Sequence, residues 1–166
     1  MMIVRLSKCA LLASVGLFFT LVVFNNTTDY DSNYQFVRHV LMMDSTFAGN
    51  HGMWRALNSH RIHTLFYLSI ICWEAATALL SWWGTARLLR SLNAPALVFH
   101  RAKSVAIAAL TLGCLLWFVA FLSIGGEWFL MWQSKTWNGQ DAAFRMFVVL
   151  ALILLYLSSP EKEPAA

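Results

Sequence analysis

Glu74 is the one acid inside an otherwise apolar stretch of this 166-residue chain, Thr64 to Trp83. At 1.5 Å per residue it lies roughly 15 Å from the start of that stretch, a depth near the middle of a bilayer. An ionised carboxylate there is expensive, so the acid must be neutral, paired or turned to a polar cavity. No basic residue lies at matching depth in the other apolar segments, which offer Ser14, Thr111, Cys114 and Trp117. Two chemistries follow. Glu74 could relay a proton or cation, or it could be a glutamic acid bonded between helices or to a partner subunit. The absence of a second acid along a path favours the structural role.

The histidines raise metal chemistry. His60 and His63 are three apart and can share a helical face, His39 and His51 could join them, and Met42, Met43 and Met53 are soft ligands. Copper or zinc could bind such a set. A His-x-x-His pair without a second pair at fixed spacing is weak support, and histidines solvating a membrane surface are the plainer account. A bis-histidine haem fares worse, because the other three apolar segments contain no histidine. Cys9, Cys72 and Cys114 have no metal-ligand spacing. The chain has no glycine-rich phosphate loop, nucleophile elbow or HExxH motif. No catalytic residue and no cofactor is therefore expected, with haem, quinone and copper kept as alternatives.

A third group combines charge with aromatic rings. Asp29, Arg38, Asp44, Arg55, Arg61, Glu127, Lys135, Asp141 and Arg145 surround Trp128, Trp132 and Trp137, with Gln133 and Asn138 in the same block. Such a set can form a self-satisfied cap that ties two loops together. It can also dock a protein, since Trp and Arg dominate binding hot spots, or enclose a quinone or lipid headgroup.

The elements that must hold these groups are set by composition. Hydrophobic residues make up 59% of the chain and charged residues only 12%, against about a quarter charged in a soluble domain. With a mean hydropathy of +0.60, this excludes a disordered, collagen-like or disulfide-built chain and points to a membrane protein. Crossing the hydrocarbon takes about 20 apolar residues. Residues 6–24, 64–83, 104–124 and 142–159 meet or approach that length. They leave outer loops at 25–63 and 125–141, a cytoplasmic loop at 84–103 and a tail at 160–166. The first segment has a basic start but no small-x-small cleavage site after Phe24, so it is expected to be retained as a helix.

Orientation follows the Lys and Arg of the short loops. With both termini inside, the cytoplasmic side holds Arg5, Lys8, Arg87, Arg90, Arg101, Lys103 and Lys162 against Glu161 and Glu163. The outer charges balance. The net charge of +4 is thus a topology signal and an attraction to anionic lipid, with no nucleic-acid site implied.

In the first outer loop, Asp31 or Ser32 can cap a short helix through Met43. Phe36, Val37, Val40 and Leu41 would share one face and lie on the membrane surface. The chain should become helical again near Trp54 and run unbroken into the second span. That helix should continue past Trp82 and Trp83 to Leu92, with Arg87 and Arg90 snorkelling, before Asn93-Ala94-Pro95 turns it. Ala102, Ala106, Ala109 and Gly113 have the spacing that lets helices approach closely. Gly125-Gly126 should break the third span. Trp128 and Trp132 would then share a helical face, and Asp141 and Arg145 would pair at i and i+4.

Three stretches carry a resemblance. They are Asn26-Thr27-Thr28-Asp29-Tyr30, Phe36 through Asp44, and the block GGEWF-x-MWQS-x-x-WNGQ-x-x-AFR from Gly125 to Arg145. Together they resemble a bacterial family of predicted small integral membrane proteins with no assigned function, over essentially the whole chain. The resemblance implies a four-helix inner-membrane protein and brings no catalytic residue. The expected fold is an all-α, four-helix transmembrane bundle with an outer-face cap of short amphipathic helix and Trp-rich loop. The expected function is that of a non-catalytic accessory or structural subunit in contact with lipid and a membrane protein complex. A redox subunit with quinone, haem or metal at the outer face, and a small transporter or channel using Glu74, are the alternatives.

Overall fold

The computed structural model describes residues 2–161; Lys162 and Glu163, placed above on the cytoplasmic side, lie outside the described residues. The elements are α1 (Met2–Thr28), α2 (Tyr30–Met42), α3 (His60–Arg90), α4 (Ala96–Ala102), α5 (Ser104–Leu115) and α6 (Gln140–Ser158). A π-helix, Leu116–Trp128, continues α5, and short 3-10 turns stand at Met53–Arg55 and Met131–Gln133. Among the described residues four stretches are long and apolar enough to cross a membrane: Met2–Thr28, His60–Arg90, Ala96–Trp128 and Gln140–Ser158. In lipid every backbone group must bond within its own segment, and these Leu-, Ala- and Phe-rich runs do so as helices.

The spanning helices pack through small residues. A Cβ added at Gly84 would lie 3.1 Å from the Ala106 backbone and from Leu12, and one at Gly113 would press on Leu150 and Phe19. This brings α1, α3, α5 and α6 around a core that includes Leu12, Phe19, Leu88, Leu110 and Leu150.

Several boundaries differ from those read in the sequence. α1 runs past Phe24 to Thr28, and the Thr27 and Thr28 hydroxyls turn back to bond the carbonyls of Val23 and Phe24 in the same helix. Asn25 and Asn26 are therefore helical rather than loop residues. The segment after Trp54 does not run unbroken into α3. Ala56 turns extended, Leu57 N–H donates to the Leu41 carbonyl at 2.9 Å, and the helix restarts at His60. α2 is not simply laid on a membrane surface either. Tyr34, Val37 and Leu41 are buried against Tyr67 and Ile71 of α3, a face that includes a tyrosine the apolar count left out.

The largest correction concerns the third span. Gly125-Gly126 do not break it; the helix widens and passes through them. Phe129 N–H reaches back five residues to the Ile124 carbonyl at 2.9 Å, and the Ser123 hydroxyl reaches Phe118 in the same way. A Cβ at Gly126 would sit 2.5 Å from the movable Gln140 side-chain amide, which places this glycine beside the start of α6. The helix ends at Trp128, and two residues on Leu130 takes a left-handed backbone at φ 54°. Leu130 lies between Trp128 and Trp132, so those two do not share a helical face.

Candidate functional site

The capacity for chemistry is concentrated where α2 covers the ends of α1, the π-helix and α6. Glu74 is only 2% exposed. It lies halfway along α3 yet meets the end of α1: Asn26 Nδ2 donates to Glu74 Oε2 at 2.6 Å. Tyr67 OH in turn donates to the Asn26 carbonyl at 3.0 Å. α3 has 31 residues, about 46 Å of helix against about 30 Å of hydrocarbon. It therefore extends beyond α1, and its surplus length holds α2. The partner sought at matching depth in Ser14 or Thr111 is instead Asn26, which the sequence reading had put in a loop. Ser14 bonds its own helix, at the Ala10 carbonyl.

Beside this pair lies a cavity of about 260 Å³. Glu74 and Asn26 close its inner end, Trp117 and Phe121 of the π-helix form a wall, and the exposed Asn33 and Ala142 stand at its mouth. Two other tryptophans in the bundle satisfy their indole N–H groups, Trp73 on the Leu112 carbonyl and Trp82 on the Thr20 hydroxyl, both at 3.0 Å. Trp117 does not: its Nε1 is buried without an acceptor. Phe36, Val37, Ile70 and Phe121 also line a second, almost wholly apolar cavity of about 130 Å³ on their other side.

The remaining candidates spread over the same end of the molecule. Trp137 stacks on His39 at 4.6 Å and 6°, and His39 Nδ1 lies 2.6 Å from Asp44. The Ser134 hydroxyl accepts from Ser45 and from Trp137 N–H. The Gln133 side-chain oxygen Oε1 accepts from Phe47 N–H at 3.1 Å. Trp132 meets Phe47 edge-on, Trp128 meets Trp54 in the same way, and Arg55 lies over both Trp54 and Trp128. Asp29 and Asn138 make local bonds to Ser32 and Gln140 N–H, and Arg38 bonds Gln35. Glu127 contributes its backbone carbonyl, to Arg55. Among the described residues Asp141 and Arg145 form no ion pair.

The metal-ligand candidates are engaged separately. His60 Nδ1 meets Tyr34 OH at 2.6 Å, and His63 Nε2–H donates to the Leu57 carbonyl at 2.7 Å. His39 is taken by Asp44, and His51 sits apart on an exposed turn. Among the described residues no three His, Cys, Asp or Glu side chains are grouped to hold a metal ion.

A second polar cluster, which the sequence reading missed, occupies the opposite, basic end. Lys8 and Lys103 Nζ reach Glu161 Oε1 at 2.7 and 2.6 Å, and both also donate to the Ser159 carbonyl. Arg5 Nη1 donates to the carbonyls of Leu92 and Ala94. Burial opposes the charged form of Glu161, but the bonds and charges of Lys103 and Lys8 outweigh it and hold the carboxyl below the usual carboxylate range. The available signal was the one acid described beside three cations, which the sequence reading had entered only in a charge balance.

Residues 4–160 match a family described as predicted small integral membrane protein (DUF2165), and the four apolar helices found among the described residues agree with that description. The chain belongs to this family. No curated protein and no solved structure matches it. The family description assigns a role to neither cluster, and the matched residues include Glu74 but stop one short of Glu161, so both roles rest on the geometry.

Proposed function

We propose that this integral membrane protein is a non-catalytic accessory subunit of the bacterial inner membrane, with its basic end and both termini in the cytoplasm. Its α2 end would be the outer face, presented to a membrane protein complex. The orientation rests on Arg5, Lys8 and Lys103 gathering at one end. The docking reading rests on one observation: Trp54, Trp128, Trp132 and Phe47 stay exposed around Arg55 while the groups beneath them are tied together. Trp54 is 75% exposed, though it packs edge-on against Trp128. Aromatic rings and an arginine on a braced support are the usual anchors of an interface.

Site-specific photo-crosslinking in intact membranes tests this. A crosslinker at Trp132 should give one discrete, heavier product, and one at the exposed α6 residue Leu152 should give none. The product should disappear in a W54A/W128A background that keeps its helicity. Lipid adducts alone at position 132, or a product indifferent to the two alanines, would overturn the reading.

A further inference from the structure

The cavity beside Glu74 is chemically unbalanced in a way that specifies a guest. Glu74 Oε2 accepts the Asn26 amide, while Oε1 has no partner among the described residues and is not sealed from the cavity. The Asn26 side-chain oxygen is likewise open. No cation pairs with Glu74 among the described residues. The inner end therefore offers two acceptors and a carboxyl group without a counter-charge. Burying such a group is costly until a cation or donor arrives. The walls are aromatic, from Tyr67, Trp117 and Phe121, and ring faces attract cations. Beyond Phe36 and Phe121 the second cavity is apolar.

We propose that this cavity binds an amphiphile whose head carries a protonated primary amine. The ammonium N–H groups bond Glu74 and Asn26 between the aromatic walls, and the apolar body lies against the Phe36 and Phe121 wall. The mouth between Asn33 and Ala142 gives access from the membrane side of the α2 end. An aminophospholipid and a free single-chain amino alcohol share this chemistry. A quaternary ammonium head does not, because it has no N–H to donate.

The test uses the full chain in mild detergent, with lipid adducts read by native mass spectrometry. The probes are phosphatidylethanolamine, phosphatidylcholine, phosphatidylglycerol and an alkyl amino alcohol. The wild type should hold phosphatidylethanolamine about tenfold more tightly than the choline or glycerol lipid. E74Q should lose about thirtyfold or more, the loss expected when one partner of a buried charge pair is removed. W117L should lose roughly threefold, the worth of one contact between a cation and a ring face. Equal retention of the amino alcohol identifies a free amphiphile as a source; retention of the ethanolamine lipid alone identifies bilayer lipid. Either supports the proposal. If the three phospholipids bind alike, or E74Q and W117L both bind as the wild type does, the proposal is wrong. Should E74Q lose its helicity, the wild-type preference and W117L decide.

Discussion

The two ends of the bundle each bury one acid and treat it in opposite ways. At the basic end Glu161 lies between two lysine ammonium groups whose side chains are 0% exposed, and the Ser159 carbonyl takes a second bond from each. Those cations also sit at the C-terminus of α6, where helix carbonyls favour positive charge. At the α2 end Glu74 has one amide bond, no cation and a cavity beside it. Burial is common to both, and what separates them is whether the protein itself supplies the partner. A closed cluster holds helices together, while an open one is prepared for something that arrives later.

The contrast can be broken most forcefully at Glu161. E161Q leaves Lys8 and Lys103 buried without their counter-ion and should cost about 3–5 kcal/mol, read as a large loss in thermal or denaturant unfolding. The pH dependence has a defined sign. The folded carboxyl of Glu161 is held below its ordinary value. Its contribution is therefore complete above the unfolded pKa of about 4.3 and is lost as pH falls through the lower folded value. Unfolding followed from pH 7 to pH 3 should show wild-type stability declining only at the acid end, and E161Q should lack that decline.

At Asn26 the expected loss is intermediate. N26A removes the amide that holds Glu74 Oε2 and should destabilise by about 1–3 kcal/mol. E74Q keeps an acceptor for that amide and removes an uncompensated charge, so it should change stability by less than about 1 kcal/mol. If E74Q proves as damaging as E161Q, the two ends do not differ as described. W137A should be the mildest of the aromatic changes, removing the stack on His39 at about 0.5–1.5 kcal/mol.

The sequence made the solvent and the helices legible because length and apolarity decide them locally. Glu74 was legible as an anomaly for the same reason. Its partner was not, because Asn25 to Thr28 read as a polar loop, whereas α1 continues through them with the threonine hydroxyls turned back on their own helix. The π-helix was equally hidden: a glycine pair signals a break, and the five-residue bond from Phe129 N–H to the Ile124 carbonyl has no local sequence signature. The tryptophan-rich block stood out by composition, yet its pairings with Phe47, Trp54 and His39 cross dozens of residues. No local period encodes them.

The indole N–H of Trp117 reports most directly on whether the α2 end is open. With ¹⁵N-labelled tryptophan in lipid nanodiscs, its resonance can be assigned by its loss in W117F. Addition of an alkyl amino alcohol should shift that signal in the wild type, as the cation comes against its ring, and leave it in place in E74Q, while the Trp73 and Trp82 signals stay fixed. A Trp117 resonance that ignores the amine, or moves equally in E74Q, would contradict the account.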